Sequence, residues 1–293
     1  MLLIYGGFKY KIYEELKDKR KLKEVFALKK LVAVIIVLAV IAIYPTTKFL
    51  IINSKKNTAH EDTSAGVSVL DSYAGVSVEK VDKAIAEAKK KQEELNQIEA
   101  IQGLVEKQIK LIESGKLSYR KVFSNVYIAG DSLMEGLEAY GVLNSSHIFA
   151  KVSASLSHLE SVMPNIISVR PPVLILHYGL NMIGDQEYHV DSFISQYTKD
   201  IQKLRKSLPD TRIIVSLLFP VDTSVATANR FKYVSRYNNR LIKMSKELGV
   251  EYLDSSSIFV GHDFYGADGI HLSYSFYNDY WLKFIMREME IYA

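Results

Sequence analysis

Three kinds of hydrophobic pattern follow one another along this chain of 293 residues. The first is an uninterrupted apolar run, "LVAVIIVLAVIAIYPTT" at residues 31–47, without a single charge. The second places Val78, Val81, Ile85, Ala88, Leu95, Ile98, Val105, Ile109 and Ile112 mostly three or four apart among Lys, Glu and Gln. That is the period of a helix with one apolar stripe. The stripe slips near residues 95–98, Gln92 and Gln102 fall on it, and Gly103 weakens the middle. Either a short coiled-coil stalk, and with it a homodimer, or one long helix packed on the next domain satisfies the pattern. Ser114-Gly115 stops it.

In the third pattern, from residue 121, short strand-like runs alternate with amphipathic stretches. Strands are expected at Val126–Ala129, His147–Val152, Val173–Tyr178, Arg212–Phe219 and Val250–Leu253. Helices are expected at Leu133–Tyr140, Leu156–Ser168, Val190–Leu208 and Arg230–Leu248. The third and fourth strands are almost entirely apolar, as strands covered on both faces must be. The alternation predicts a three-layer α/β/α sandwich around a parallel sheet.

Charge changes the reading of the first run. Nine Lys/Arg and only four acids precede it within residues 1–30. As a helix, residues 31–47 span about 25 Å, slightly short of a ~30 Å hydrocarbon core. Residues 25–28 and 49–52 lengthen the apolar surface while Lys29, Lys30 and Lys48 snorkel. A cleaved signal peptide is the rival reading, but no A-x-A pair follows and Pro45 stands where cleavage would fall. The expected organisation is a basic cytoplasmic arm (1–30), a transmembrane anchor (31–52), a flexible linker (53–77), a helical stalk (78–115) and a catalytic-type domain (116–293). Everything after about residue 50 then lies outside a bacterial membrane. The repeated AGVSV at 65–69 and 74–78 is too brief for a repeat architecture.

Composition adds exclusions. The net charge of +4 is mild and its excess sits near the N-terminus, which argues against a nucleic-acid partner. With no cysteine there is no disulfide framework, thiolate zinc site or thiol nucleophile.

The stretch "NVYIAGDSLMEGLEAYG", residues 125–141, runs from strand to helix with Ser132 at the corner. Open α/β sheets bind ligands at the carboxyl ends of their strands, and a helix N-terminus there stabilises an oxyanion. A serine hydroxyl also needs a base, and the base an orienting acid. "YGADGIHLS", residues 265–273, supplies Asp268 three residues before His271, a spacing that lets a tight turn bring the carboxylate to Nδ1 and leave Nε2 for Ser132. "LHYGLNMIG", residues 176–184, places Asn181 just past the third strand, where its amide serves as an oxyanion donor or merely makes a turn.

The blocks Gly130-Asp131-Ser132, Gly179-Leu180-Asn181 and Asp268-Gly269-Ile270-His271 fall after the first, third and last strands. Together they resemble the SGNH (GDSL) hydrolase superfamily over roughly residues 121–293. The resemblance implies a flavodoxin-like fold and serine-dependent ester hydrolysis. It assigns Ser132 as nucleophile, His271 as base, Asp268 as its orienting acid, and the Ser132 N–H and Asn181 side chain as oxyanion donors. Two departures stand out. The family's glycine after the second strand is missing from "AKVSASLSHL", so Ser153, Ala154 or Ser155 must supply the third donor N–H, and Ala154 is assigned. The Asp that commonly follows the Asn is Met182 here, which predicts a looser loop.

Among the other histidines, His177 is expected in the core, His158 and His189 on helix surfaces, and His262 lacks the D-x-x-H spacing. No metal or other cofactor is expected. The G-x-S-x-G elbow of α/β-hydrolases is absent. An ester-bearing substrate, in particular acetyl groups on cell-wall polysaccharide, is the expected partner of an outward-facing anchored enzyme. An O-acyltransferase with the same triad, or an envelope-binding protein with weakened catalysis, are the alternatives.

Overall fold

The computed structural model describes residues 78–226 and 231–293. The expected anchor at 31–52 and linker at 53–77 lie outside the described residues. No helix among those described is long and apolar enough to cross a membrane.

Five parallel strands form one sheet. They are β1 (Val126–Gly130), β2 (Ile148–Ala150), β3 (Val173–His177), β4 (Arg212–Ser216) and β5 (Glu251–Leu253), in the order β2-β1-β3-β4-β5. This is the flavodoxin-like order, with its switch point between β1 and β3. Register pairs Gly130 with both Ala150 and His177, so β1 and its two neighbours end level. Two expected strands are shorter than predicted. Residue 147 belongs to a 3-10 turn before β2, and β2 sits at the edge with one partner. Apolarity continues from Ser216 to Phe219, but β5 offers β4 no partner beyond Leu253. Burial rather than pairing explains those last residues, with Leu217, Leu218 and Phe219 all in the core.

The long helices are α1 (Val78–Glu113), α2 (Ser132–Ala139), α3 (Leu156–Val169), α4 (Glu187–Ser207), α5 (Val234–Leu248) and α6 (Leu282–Glu288). Polar ties join α3, α4 and α5 in one layer. Gln196 donates to Glu160, and Arg240 bridges to Glu187 and Asp191. α2, α6 and the end of α1 stand together on the other face. Tyr277 Oη, just ahead of α6, donates to Leu133 O of α2 at 2.6 Å, and Arg287 of α6 pairs with Glu106 of α1. Along α1 the stripe is buried only late, at Val105, Gln108 and Ile109, while Ile85 is 47 % exposed. The last two turns therefore belong to the domain core. Ahead of α6, the aromatic run winds as a π-helical segment, Phe276–Trp281, with Phe276, Tyr277 and Trp281 buried. Those rings pack the core, and the indole N–H donates to Ser255 Oγ.

Candidate active site

Close packing sets the corner after β1. A Cβ on Gly130 would come within 2.8 Å of the His177 carbonyl oxygen and 2.3 Å of Met134 Cγ. Only glycine lets the chain pass there and begin α2 at once. Asp131 caps the helix, its Oδ1 accepting the Leu133 N–H at 3.1 Å. Ser132 is therefore the first helical residue, whose N–H has no intrahelical carbonyl to bond. Asp131 is 1 % exposed, and its Oδ2 has no hydrogen-bond partner among the described residues. Burial pushes this carboxyl up to about 7, against the opposing pull of the Leu133 N–H and His271.

The loop after β5 folds back on itself. Gly266 N–H donates to His271 O at 2.7 Å, and Tyr265 and Leu272 form an antiparallel bridge. Gly269, at φ +68°, takes the left-handed turn that lets the D-x-x-H segment close. Inside the turn, Asp268 Oδ1 accepts the N–H groups of Ile270 and His271, each at 2.9 Å. Asp268 Oδ2 accepts from His271 Nδ1 at 2.5 Å, and His271 Nε2 lies 3.0 Å from Ser132 Oγ. A proton on Nδ1 leaves Nε2 as the acceptor for the serine hydroxyl. Partial burial raises the Asp268 carboxyl, but the hydrogen bonds from the imidazole and the two N–H groups outweigh it and hold the group at about 2. The carboxylate thus stays ionised beside the imidazole.

The opposite wall comes from two other loops. Asn181 lies in a 3-10 turn after Gly179, and its Nδ2 donates to Ala154 O at 3.1 Å. Asp131, Ser132, Ser153, Asn181 and His271 line a single cleft of about 120 Å³, closed by Val152, Leu180, Phe231 and Ile270. The structure corrects one assignment. The Ala154 N–H is engaged by Lys151 O at 3.1 Å, and its carbonyl holds Asn181. Ser153 lines the cleft instead, in the left-handed conformation at φ +57°. The loop departs from glycine in residue type yet keeps a glycine-like backbone.

The expected looseness at Met182 is also not what the structure shows. Met182 Sδ accepts the Leu156 N–H at 3.4 Å, at the start of α3, where Ser155 provides no side-chain cap. Tyr237 Oη donates to Met182 O at 3.1 Å and accepts the Gly184 N–H at 2.9 Å. No local signal marks Tyr237 or the thioether as partners of this loop, and Phe231 reaches the cleft from equally far along the chain.

The remaining histidines stay outside the triad. His177 is fully buried at the end of β3, its Nδ1 3.1 Å from Ser216 Oγ, and burial lowers it to about 3. His158 Nδ1 meets Tyr178 Oη, His189 Nδ1 accepts the Gln186 N–H, and His262 packs on Phe264 and Tyr280. Among the described residues no group of three or more His, Asp or Glu side chains is placed to hold a metal ion. A wider cavity of about 440 Å³ beside Tyr140 and Tyr274 is lined by none of Ser132, Ser153, Asn181, Asp268 and His271.

No curated protein matches the chain. Among solved structures, a GDSL-like lipase from Bacteroides thetaiotaomicron is 13% identical, covering 64% of this chain and 98% of its own, with a TM-score of 0.45. The lipase/acylhydrolase from Enterococcus faecalis is 13% identical over 56% and 95%, with a TM-score of 0.44. An acetyl xylan esterase is 17% identical over 55% and 97%, with a TM-score of 0.42. The profile of the GDSL-like Lipase/Acylhydrolase family matches residues 128–278, a little over half of the chain. With that span running from β1 through the serine corner to the histidine loop, the chain belongs to the GDSL-like lipase/acylhydrolase family and is a serine ester hydrolase.

Proposed function

We propose that Ser132 is the nucleophile of an esterase that removes short acyl groups, acetyl foremost, from cell-envelope glycan outside the membrane. The observation that carries the reading is the hydrogen-bonded line from Asp268 through His271 to Ser132 in one cleft with Asn181. His271 Nε2 takes the hydroxyl proton as Ser132 Oγ attacks the ester carbonyl, and Asp268 stabilises the imidazolium that forms. The Ser132 N–H, the Ser153 N–H and the Asn181 amide receive the developing oxyanion. His271 then returns its proton to the leaving alcohol, and water repeats the sequence on the acyl-serine.

The cleft, at about 120 Å³, supports a short acyl group. Pockets that enclose drug-sized ligands run to ~300–1,000 Å³. The envelope location rests on the charge-free run at 31–47 behind a basic flank. Acetate release from O-acetylated glycan by the detergent-purified full chain tests the reading, with Ser132→Ala beside it. Release that depends on Ser132 is expected. Preferential cleavage of long-chain acyl esters, with no acetate released from glycan, would overturn the substrate assignment.

A further inference from the structure

Asp268 and His271 are held by one turn, whereas the loop that carries Asn181 is tied to elements distant in sequence. The long-range support comes from α5. Tyr237 is fully buried, with its ring 5.4 Å from that of Phe193, and its hydroxyl bonds two backbone groups of one loop, Met182 O and Gly184 N–H. Met182 N–H in turn donates to Gly179 O at 2.8 Å. On the far side of Asn181, the Met182 thioether takes the first N–H of α3, and Asn181 itself takes Ala154 O, next to Ser153. Four hydrogen bonds thus tie loop 179–184 to α5 on one side and to loop 153–156 on the other. Neither Tyr237 nor Met182 is among the residues that line the cleft.

We propose that Tyr237 is a positioning residue for ester hydrolysis. Its hydroxyl, working with the Met182 thioether, fixes the loop that carries Asn181 and so aims the amide at the oxyanion. The inference rests on the esterase reading above. Its physical logic is geometric, since a displacement of about 1 Å at a group that acts only in the transition state can cost ~10²-fold in rate. A loop pinned at Met182 O and Gly184 N–H brackets Asn181 on its C-terminal side, and the β3 end at Gly179 brackets it on the other. Loss of the hydroxyl frees one of these clamps and leaves the ring packing in place. Ground-state binding is not what the clamp controls, so the effect falls on kcat.

The test is a double-mutant cycle on the full chain with p-nitrophenyl acetate. Asn181→Ala is expected to lower kcat by ~10²–10³-fold, the usual loss for one oxyanion donor. Tyr237→Phe is expected to lower kcat about tenfold, with KM within about twofold of wild type. Because Tyr237 acts through Asn181, Tyr237→Phe on the Asn181→Ala background should cost almost nothing further. Met182→Leu, which removes the sulfur acceptor at similar volume, should behave in the same way, and it guards against a Tyr237→Phe protein that folds poorly. Losses that multiply in the double variants, or a wild-type kcat in both single variants, would overturn the inference. A fully active Ser132→Ala would instead bring down the esterase reading. With Ser132→Ala inactive and the losses multiplying, only the role of Tyr237 falls.

Discussion

The two walls of the cleft are built on different principles. The His271 wall is a single turn in which Asp268 accepts from Ile270 and His271 within four residues. The Asn181 wall joins residues 153–156, 179–184 and 237, which meet only once the sheet and the layer of α3, α4 and α5 are in place. The first is closed mainly by bonds within its own turn, with one tie from outside where Asp222 N–H donates to Gly269 O at 2.8 Å. The second depends on long-range packing, so changes well away from the reacting atoms can reach it.

Breaking the local wall should do the most damage. Ser132→Ala and His271→Ala are expected to reduce ester hydrolysis by about 10⁴-fold or more, and Asp268→Asn by a similar factor through a misdirected imidazole tautomer. Steady-state rates on p-nitrophenyl acetate read all three. Against these, Asn181→Ala should cost ~10²–10³-fold, and Tyr237→Phe about tenfold, in the same assay. An Asn181→Ala loss as large as that of Ser132→Ala would erase the distinction between the two walls.

Smaller effects sharpen the comparison at the corner between them. The Asp131 carboxyl is raised by burial to about 7, so the folded protein binds its proton more tightly than the unfolded chain does. This group therefore favours folding at acid pH and progressively less as pH rises from about 4 to about 7. Between pH 5 and pH 8 that contribution falls by on the order of 2–3 kcal/mol. Asp131→Asn should flatten the slope while keeping the helix cap, as urea unfolding at the two pH values would show. A wild-type slope in the variant would assign the pH dependence to other groups. The smallest effect is expected from Ser153→Gly. A left-handed residue costs roughly 1–2 kcal/mol when it carries a Cβ, offset in part by the flexibility glycine brings to the unfolded chain. The variant should keep its activity and melt no lower than wild type, and thermal unfolding would reveal the opposite.

What was legible in the sequence follows the same division. The alternation and the parallel sheet could be read from periodicity, whereas strand order and the roles of Ser132, Asp268 and His271 came only with the family resemblance. Gly130 stood in the sequence only as part of the Gly130-Asp131-Ser132 block; its steric reason shows in the packing against His177 O and Met134. Ser153 was not, because nothing about a serine announces φ +57°. Ala154 drew the donor assignment only because its N–H bond to Lys151 O is a property of the folded turn. Met182 suggested a loose loop because the family's usual Asp is missing there, and no sequence signal brings the Leu156 N–H of α3 to the thioether. The ends of β2 and β4 were overestimated because apolarity reports burial, whereas strand length also requires a partner.

The central claim, an activated Ser132, is tested most directly by fluorophosphonate labelling of the purified full chain, with the modified residue located by mass spectrometry. The account predicts one adduct on Ser132, absent from Ser132→Ala and sharply reduced in His271→Ala. Undiminished labelling of Ser132→Ala, or no labelling of the folded wild-type protein, would contradict it.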